Sequence, residues 1–313
     1  MSEQEKNGMQ EENENPVPAG PKSSLVSIVG RPSAGKSTFL NTASGQQISI
    51  VSPVPQTTRN AIRGIINTAQ GQIVFIDTPG LHASEKKLNL RLTKIAHDHI
   101  KESDSILYIL DSTRAHGEEE AMIASLLEPF TDKLVIAINK TESAQSDAYR
   151  SRSFIKDHLP AMPPERIIEM SAKENTNVSA VLDALFALAE EGPHLYPEEF
   201  YTDQEVDFRI AEIIRGQAIS RLEQELPHAL YVAIDGMKMA NENLLKVRAV
   251  LYVERESQKG IVIGKSASMV KAIRTSSEKE CLDIFPYKVS IDLQVKVDKN
   301  WRQKDKVLGK LIR

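Results

Sequence analysis

Cysteine is nearly absent. Cys281 is the single cysteine in 313 residues, so no disulfide can close within the chain and a reducing compartment fits. It reads as a small residue on a helix face. No run of about 18 apolar residues exists, which excludes an ordinary transmembrane helix. The first 22 residues, MSEQEKNGMQEENENPVPAGPK, lack the apolar core of a signal peptide. They are polar and acidic and end in Pro and Gly, so residues 1–22 read as a disordered tail. A strong charge of one sign is also missing, since the net charge is −4. That charge is unevenly spread. Residues 241–313 carry 16 Lys+Arg and 9 Asp+Glu, or +7, against 23 and 34, or −11, for residues 1–240. A basic C-terminal part on an acidic body fits a polyanion-binding module, and charge alone fits a plain solvated face equally well.

What is present is a rhythm. The length favours two domains. SLVSIV (24–29), QIVFID (72–77), SILYIL (105–110), KLVIAIN (133–139) and RIIEMS (166–171) are short Val- and Ile-rich runs that read as buried strands. Helical stretches such as LNLRLTKIAHDHIKES and NVSAVLDALFALAEE lie between them. Alternation of this kind predicts an α/β domain over 23–190, a mostly parallel sheet with helices on both faces. A Pro-bearing linker follows at 191–202. The segment 203–303 changes period and predicts an α+β domain of helix (203–226), hairpin around MANENL, helix and strand (288–297). Residues 304–313 read as a C-terminal tail. No internal repeat is evident.

The chemistry sits at strand ends. GRPSAGKST, from Gly30 through Arg31, Pro32, Ser33, Ala34, Gly35, Lys36 and Ser37 to Thr38, has the G-x-x-x-x-G-K-[ST] spacing between a strand and a helix. Its glycines let backbone N–H groups turn inward around phosphates, and the helix N-terminus adds positive potential. Lys36 would reach the β- and γ-phosphates, and Ser37 would bind Mg²⁺. FIDTPG adds Asp77 on the Mg²⁺ side and Gly80 at the D-x-x-G spacing, where a backbone N–H could sense a γ-phosphate. NKTE (Asn139, Lys140, Glu142) and SAK (Ser171, Ala172, Lys173) end two later strands. The carboxylate of Glu142 can accept from guanine N1–H and its 2-amino group, donors that adenine lacks. A bidentate base contact of this kind discriminates by about 1–3 kcal/mol. Glu142 is one methylene longer than the Asp usual at this position.

Taken in order, GRPSAGKST, PQTTR, DTPG, NKTE and SAK resemble a translation-factor-class GTPase. VERESQKGIVIGKSASMVKAI and VKVDKNW resemble the type II KH domain of the Era family, bacterial GTPases that assist maturation of the small ribosomal subunit. The resemblance covers about residues 23–303. It implies slow GTP hydrolysis with Mg²⁺, GTP and GDP as ligands, and Lys36, Thr58 and Gly80 as the catalytic positions. Thr58 would join Ser37 and Asp77 around the metal. It implies binding of single-stranded RNA near the 3′ end of 16S rRNA and of the small ribosomal subunit. The contacts would be Gly264, Lys265, Ser266 and Ala267, a GXXG-type clamp, with Lys259 and Lys271. A cytoplasmic monomer is implied, with room for peripheral contact with the inner membrane.

Four positions depart from the family pattern. Glu142 replaces Asp. Ser33 stands where relatives use Asn to hold an activating K⁺, and it offers a shorter oxygen ligand. Ala267 replaces the second loop glycine. That is unfavourable if the site needs positive φ and favourable if the helix begins there. Ser268 also departs and carries little weight. Leu81 follows the D-x-x-G glycine, where an apolar side chain cannot orient water, which implies slow intrinsic turnover. His82 reads as a surface loop residue. Two other functions compete with a GTPase switch. A catalytically weak RNA-binding scaffold would keep GTP or GDP as a structural ligand, and Lys36, Ser37, Thr58 and Asp77 argue against it. An ATPase of similar fold is disfavoured by Glu142.

Overall fold

A computed structural model describes residues 20–51, 62–77, 97–223 and 226–311. Residues 1–19 of the expected tail lie outside these, as do Thr58, Gly80, Leu81 and His82.

The first domain is built on a sheet ordered β2-β3-β1-β4-β5-β6. Its strands are β1 (Lys22–Val29), β2 (Ile62–Thr68), β3 (Gly71–Asp77), β4 (Ser105–Asp111), β5 (Leu134–Asn139) and β6 (Ile167–Glu169). All neighbours are parallel except β2 with β3. A two-residue strand, β7 (Glu190–Glu191), pairs antiparallel with the start of β1. The apolar runs are continuous because both sheet faces are covered, and alternation splits each run between two cores. Leu107 and Ile109 of β4, with Val135 and Ala137 of β5, pack into one core. That core includes Phe39 and Leu40 of α1 (Lys36–Ser44) and Val181, Leu185 and Phe186 of α4 (Val178–Leu188). Ile106, Tyr108 and Leu110, with Leu134, Ile136 and Ile138, pack into the other. There they meet Ile123 and Leu127 of α2 (Glu118–Leu127) and Phe154 and Ile155 of α3 (Ala148–His158).

The second domain carries a three-stranded sheet ordered β10-β9-β8. The hairpin β8 (Tyr231–Asn241) and β9 (Leu244–Val253) is antiparallel, and β10 (Lys288–Val297) runs parallel to β9. Helices α5 (Val206–Ile219), α7 (Glu256–Ile263) and α8 (Ser268–Ile284) pack on one face, with a short α6 (Leu226–Ala229) before the hairpin. Leu245, Val247, Ala249, Val289 and Ile291 meet Ile210, Ile214, Val262, Ile273 and Cys281 in its core. Cys281 is buried there, which pushes its thiol up to about 12 and leaves it inert.

Four elements differ from the sequence expectation. β2 pairs antiparallel with β3 across the turn at 69–70. The stretch 256–263, ESQKGIVI, is a further helix with Gln258 and Val262 on its buried side. The first helix of the second domain stops at Ile219. Residues 305–311, expected as a tail, form α9, whose Leu308 is fully buried in a cluster with Tyr231 and Trp301.

Candidate functional site

The strand-to-helix turn 30–35 closes tightly because its glycines have no side chain. Gly35 has φ +104°, and a Cβ there would sit 2.1 Å from Asn139 Nδ2. At Gly30 a Cβ would sit 2.4 Å from the Ile109 carbonyl oxygen. Lys36 is buried at the head of α1, and its Nζ donates to the carbonyls of Gly30 and Arg31 at 3.1 Å each. Burial lowers its pKa, opposed by the charges of Asp77 and Glu120. Asp77 ends β3 fully buried. Its Oδ2 accepts from Ser37 Oγ at 2.7 Å and from Ser49 Oγ at 3.0 Å. A hydroxyl beside a carboxylate at the phosphate end suits a hard divalent cation that keeps most of its other ligands as water and phosphate.

Asn139 ties three motifs together. Its Nδ2 donates to the Ala34 carbonyl at 2.9 Å, and its Oδ1 accepts from Ala172 N at 2.9 Å. Thr42 Oγ1 of α1 donates to the Ala172 carbonyl at 2.7 Å. NKTE, SAK and the glycine turn are therefore one connected site. Lys140 has φ +69° and donates to Asp111 Oδ2 at 2.6 Å. Burial would raise the Asp111 carboxyl, but the bonds from Lys140 and Thr113 hold it below the usual range. Glu142 leaves Oε2 buried with no partner among the described residues. An unmet buried acceptor costs about 1–3 kcal/mol, so the residue is set up to receive donors. Ser33 Oγ is likewise buried without a described partner, at φ +63°. Ser171 is buried and caps Glu174 N, whereas Lys173 is exposed.

Four participants carried no readable motif. Asp111 anchors Lys140. Ser49 reaches Asp77. Glu119 and Glu120 of α2 hold Arg31, at 3.0 and 3.5 Å. Glu120 also accepts from buried Tyr108 OH at 2.5 Å, and burial raises its pKa against that bond and the Arg31 charge.

Ser49 belongs to a strap, residues 46–50, that lies between the domains. Asn41 of α1 accepts from Ile48 N and Ser49 N at 2.9 Å each. From the other domain, Arg209 Nη2 donates to the Gln47 carbonyl at 3.4 Å, and the Gln47 side chain donates to Glu280 of α8.

The GXXG-type loop joins α7 to α8. Gly264 has φ +74°, Ser266 +52° and Ala267 +61°. Ala267 is the residue immediately before α8, in the left-handed region, so the unfavourable alternative for this alanine holds. Lys265, Ser266, Ala267 and Lys271 are exposed, while Lys259 lies 3.9 Å from Glu256.

These two units define a class, a P-loop GTPase domain followed by a KH domain. A family profile described as "50S ribosome-binding GTPase" matches residues 25–140, and one described as "KH domain" matches residues 225–302. GTPase Era of Treponema denticola is 55% identical over 290 residues, covering 92% of this chain and 99% of that protein. GTPase Era of Borreliella burgdorferi is 42% identical over 93% of this chain and 99% of its own. A crystal structure of Era with MgGDPNP and nucleotides 1506–1542 of 16S ribosomal RNA superposes with a TM-score of 0.87 at 31% identity, covering 93% of this chain and 98% of that one. A point variant of Aquifex aeolicus Era bound to GDP·AlF4⁻ gives 0.86 at 31%, with the same coverage. The chain belongs to the Era family of GTPases.

Proposed function

We propose that this chain binds GTP with Mg²⁺, hydrolyses it slowly to GDP and phosphate, and binds 16S rRNA near its 3′ end during assembly of the small ribosomal subunit. The observation that carries the reading is the Asn139 bridge, which joins the phosphate cradle to the 171–173 loop and stands three residues before Glu142 with its unmet acceptor. The 23–190 domain does the chemistry, 191–202 links, and 203–303 binds RNA.

Residues 30–38 wrap the phosphates, with the backbone amides and the α1 N-terminus facing negative charge. Lys36, now bonded to two carbonyls, turns its ammonium to the β- and γ-phosphates. An anion there reverses the burial effect on its pKa. Ser37, Asp77 and Thr58 hold Mg²⁺, which neutralises charge on the transferring phosphoryl group. Gly80 senses the γ-phosphate. Glu142 accepts from guanine, Lys140 and Asn139 fix the loop beside it, and Ser171, Ala172 and Lys173 border the base. K⁺ activation would rest on the single hydroxyl of Ser33. Lys259, Gly264, Lys265, Ser266, Ala267 and Lys271 clamp the RNA backbone. We place the protein in the cytoplasm as a monomer with, at most, peripheral contact with the inner membrane. No described helix is long and apolar enough to cross one.

Titration with GTP and ATP in Mg²⁺ tests the base reading. GTP should bind well and ATP should not; comparable affinities refute it. Lys36→Ala should abolish turnover, and an unchanged rate assigns the activity elsewhere. Turnover that is absent in the parent chain in both K⁺ and Na⁺, with and without small-subunit RNA, would favour the scaffold reading.

A further inference from the structure

The KH domain has a second face. Its helices cover one side of the β8–β10 sheet and carry the GXXG loop. The opposite side is open along the β8–β9 hairpin end. Strand alternation places Leu245, Val247, Ala249, Val289 and Ile291 inward, and therefore Lys246, Arg248, Lys288 and Asp292 outward. Lys238 is the ladder partner of Lys246, and Gly236 is the partner of Arg248. All five charged side chains are exposed. Lys238, Lys246 and Arg248 border a shallow cavity of about 500 Å³, with Ser290 and Asp292 on its far side.

Three observations make this more than a solvated face. Two lysines stand directly opposite one another in an antiparallel ladder, an arrangement that repels. Among the described residues, no ion pair neutralises Lys238, Lys246, Arg248 or Lys288. The bare backbone of Gly236 gives the Arg248 guanidinium room to lie across the sheet, because a Cβ there would meet Arg248 Nη2 at 3.0 Å. Cations two residues apart on one strand are about 7 Å apart, a step comparable with that between successive phosphates of an extended nucleic-acid chain.

We propose that this open sheet face is a second RNA-backbone contact, distinct from the GXXG clamp and on the other side of the domain. The inference rests on the 16S rRNA reading above. A KH loop clamps about four nucleotides. The RNA held by the related Era runs from nucleotide 1506 to 1542, so most of such a ligand must lie beyond the clamp. Four unneutralised cations outnumber the two carboxylates beside them, Asp292 and the exposed Asp235 next to Gly236, and make a phosphate backbone the complementary occupant. The contact reads charge and spacing, so it supplies affinity and register and carries no base selectivity.

The test uses the full chain carrying Lys246→Gln with Arg248→Gln, both exposed substitutions, with Trp301 fluorescence as the check of folding. Binding is measured across a salt series for RNA 1506–1542 and for a short single-stranded oligonucleotide from its 3′ portion. The long RNA should bind the variant roughly tenfold more weakly, and its log–log salt slope should shrink by about 1.4–1.8, the contribution of two phosphate contacts. The short oligonucleotide should bind both proteins alike. Lys265→Glu in the clamp should weaken both RNAs. Equal affinity and slope for the long RNA in parent and variant overturn the second contact, as does a parent chain that binds both RNAs equally tightly. A parent that binds neither RNA overturns the 16S reading itself. Vesicles of phosphatidylglycerol and phosphatidylethanolamine form a further arm. Vesicle binding lost in the variant while RNA binding stays intact would reassign the face to a membrane surface and overturn the proposal.

Discussion

Ala267→Gly should stabilise the KH domain. Ala267 precedes α8 at φ +61°, ψ +24°, where an L side chain brings its Cβ against the backbone at a cost of about 1–2 kcal/mol. Glycine removes that cost. It returns about 0.5–1 kcal/mol through the greater freedom of the unfolded chain, so the net gain should be about 0.5–1 kcal/mol. For a unit of about 100 residues this corresponds to a rise of about 2–6 °C in Tm. Trp301 makes the measurement domain-specific. It is the only tryptophan, it is fully buried, and it stacks edge-on with Tyr231 at 5.0 Å and donates to the Ala229 carbonyl. Its fluorescence therefore reports unfolding of this domain and not of the nucleotide domain. Ala267→Val should move the midpoint the other way, since a β-branched residue is worse still in the left-handed region. A midpoint for Ala267→Gly at or below the parent would refute the strain argument and leave the loop geometry without the consequence drawn from it.

Gly35→Ala should abolish binding of a fluorescent GDP analogue while leaving the Trp301 transition in place, because its Cβ would meet Asn139 Nδ2 at 2.1 Å; retained affinity would show that the cradle can yield. Glu142→Ala should cost guanine selectivity over adenine nucleotides about 5- to 150-fold, the range of about 1–3 kcal/mol for a bidentate base contact, as read by competition binding. Asp111 gives a pH prediction. Its folded pKa lies below its unfolded value, so its contribution to stability is present above about pH 4 and is lost as pH falls through the folded value. Asp111→Asn should flatten the acid limb of the stability profile of the nucleotide domain, and an unchanged limb would assign acid sensitivity to other carboxylates.

The nucleotide motifs were legible because each is local. A strand end, a glycine turn and a helix start occupy nine consecutive residues at 30–38, and their spacing alone brings the backbone amides together. Asn139 and the 171–173 loop were legible for the same reason, as ends of recognisable strands. Ser49 and Asp111 were not. Ser49 meets Asp77 across 28 residues and Asp111 meets Lys140 across 29; a loop hydroxyl and a carboxylate at the end of β4 announce nothing until the sheet order sets their partners beside them. β2 escaped notice because Ile62, Ile65 and Ile66 are buried but not cleanly alternating, a pattern that ends ambiguously between strand and helix. In α7, glycine and β-branched residues concealed a helix that tertiary packing of Gln258 and Val262 sustains. The C-terminal tail looked polar by composition, and Leu308, with Val307 beside it, anchors it.

Asn139 has a consequence for what the pocket can measure. Its amide grips the Ala34 carbonyl with one end and the Ala172 amide with the other, so the jaw that takes phosphates and the jaw that takes a base are set at a fixed opening, as in a caliper. A ligand is gauged by its length before its edges are read. On the function proposed above, guanosine and pyrophosphate, each filling one jaw, should not together replace a nucleotide that spans the gap, because the separation set by Asn139 is fixed by its two hydrogen bonds.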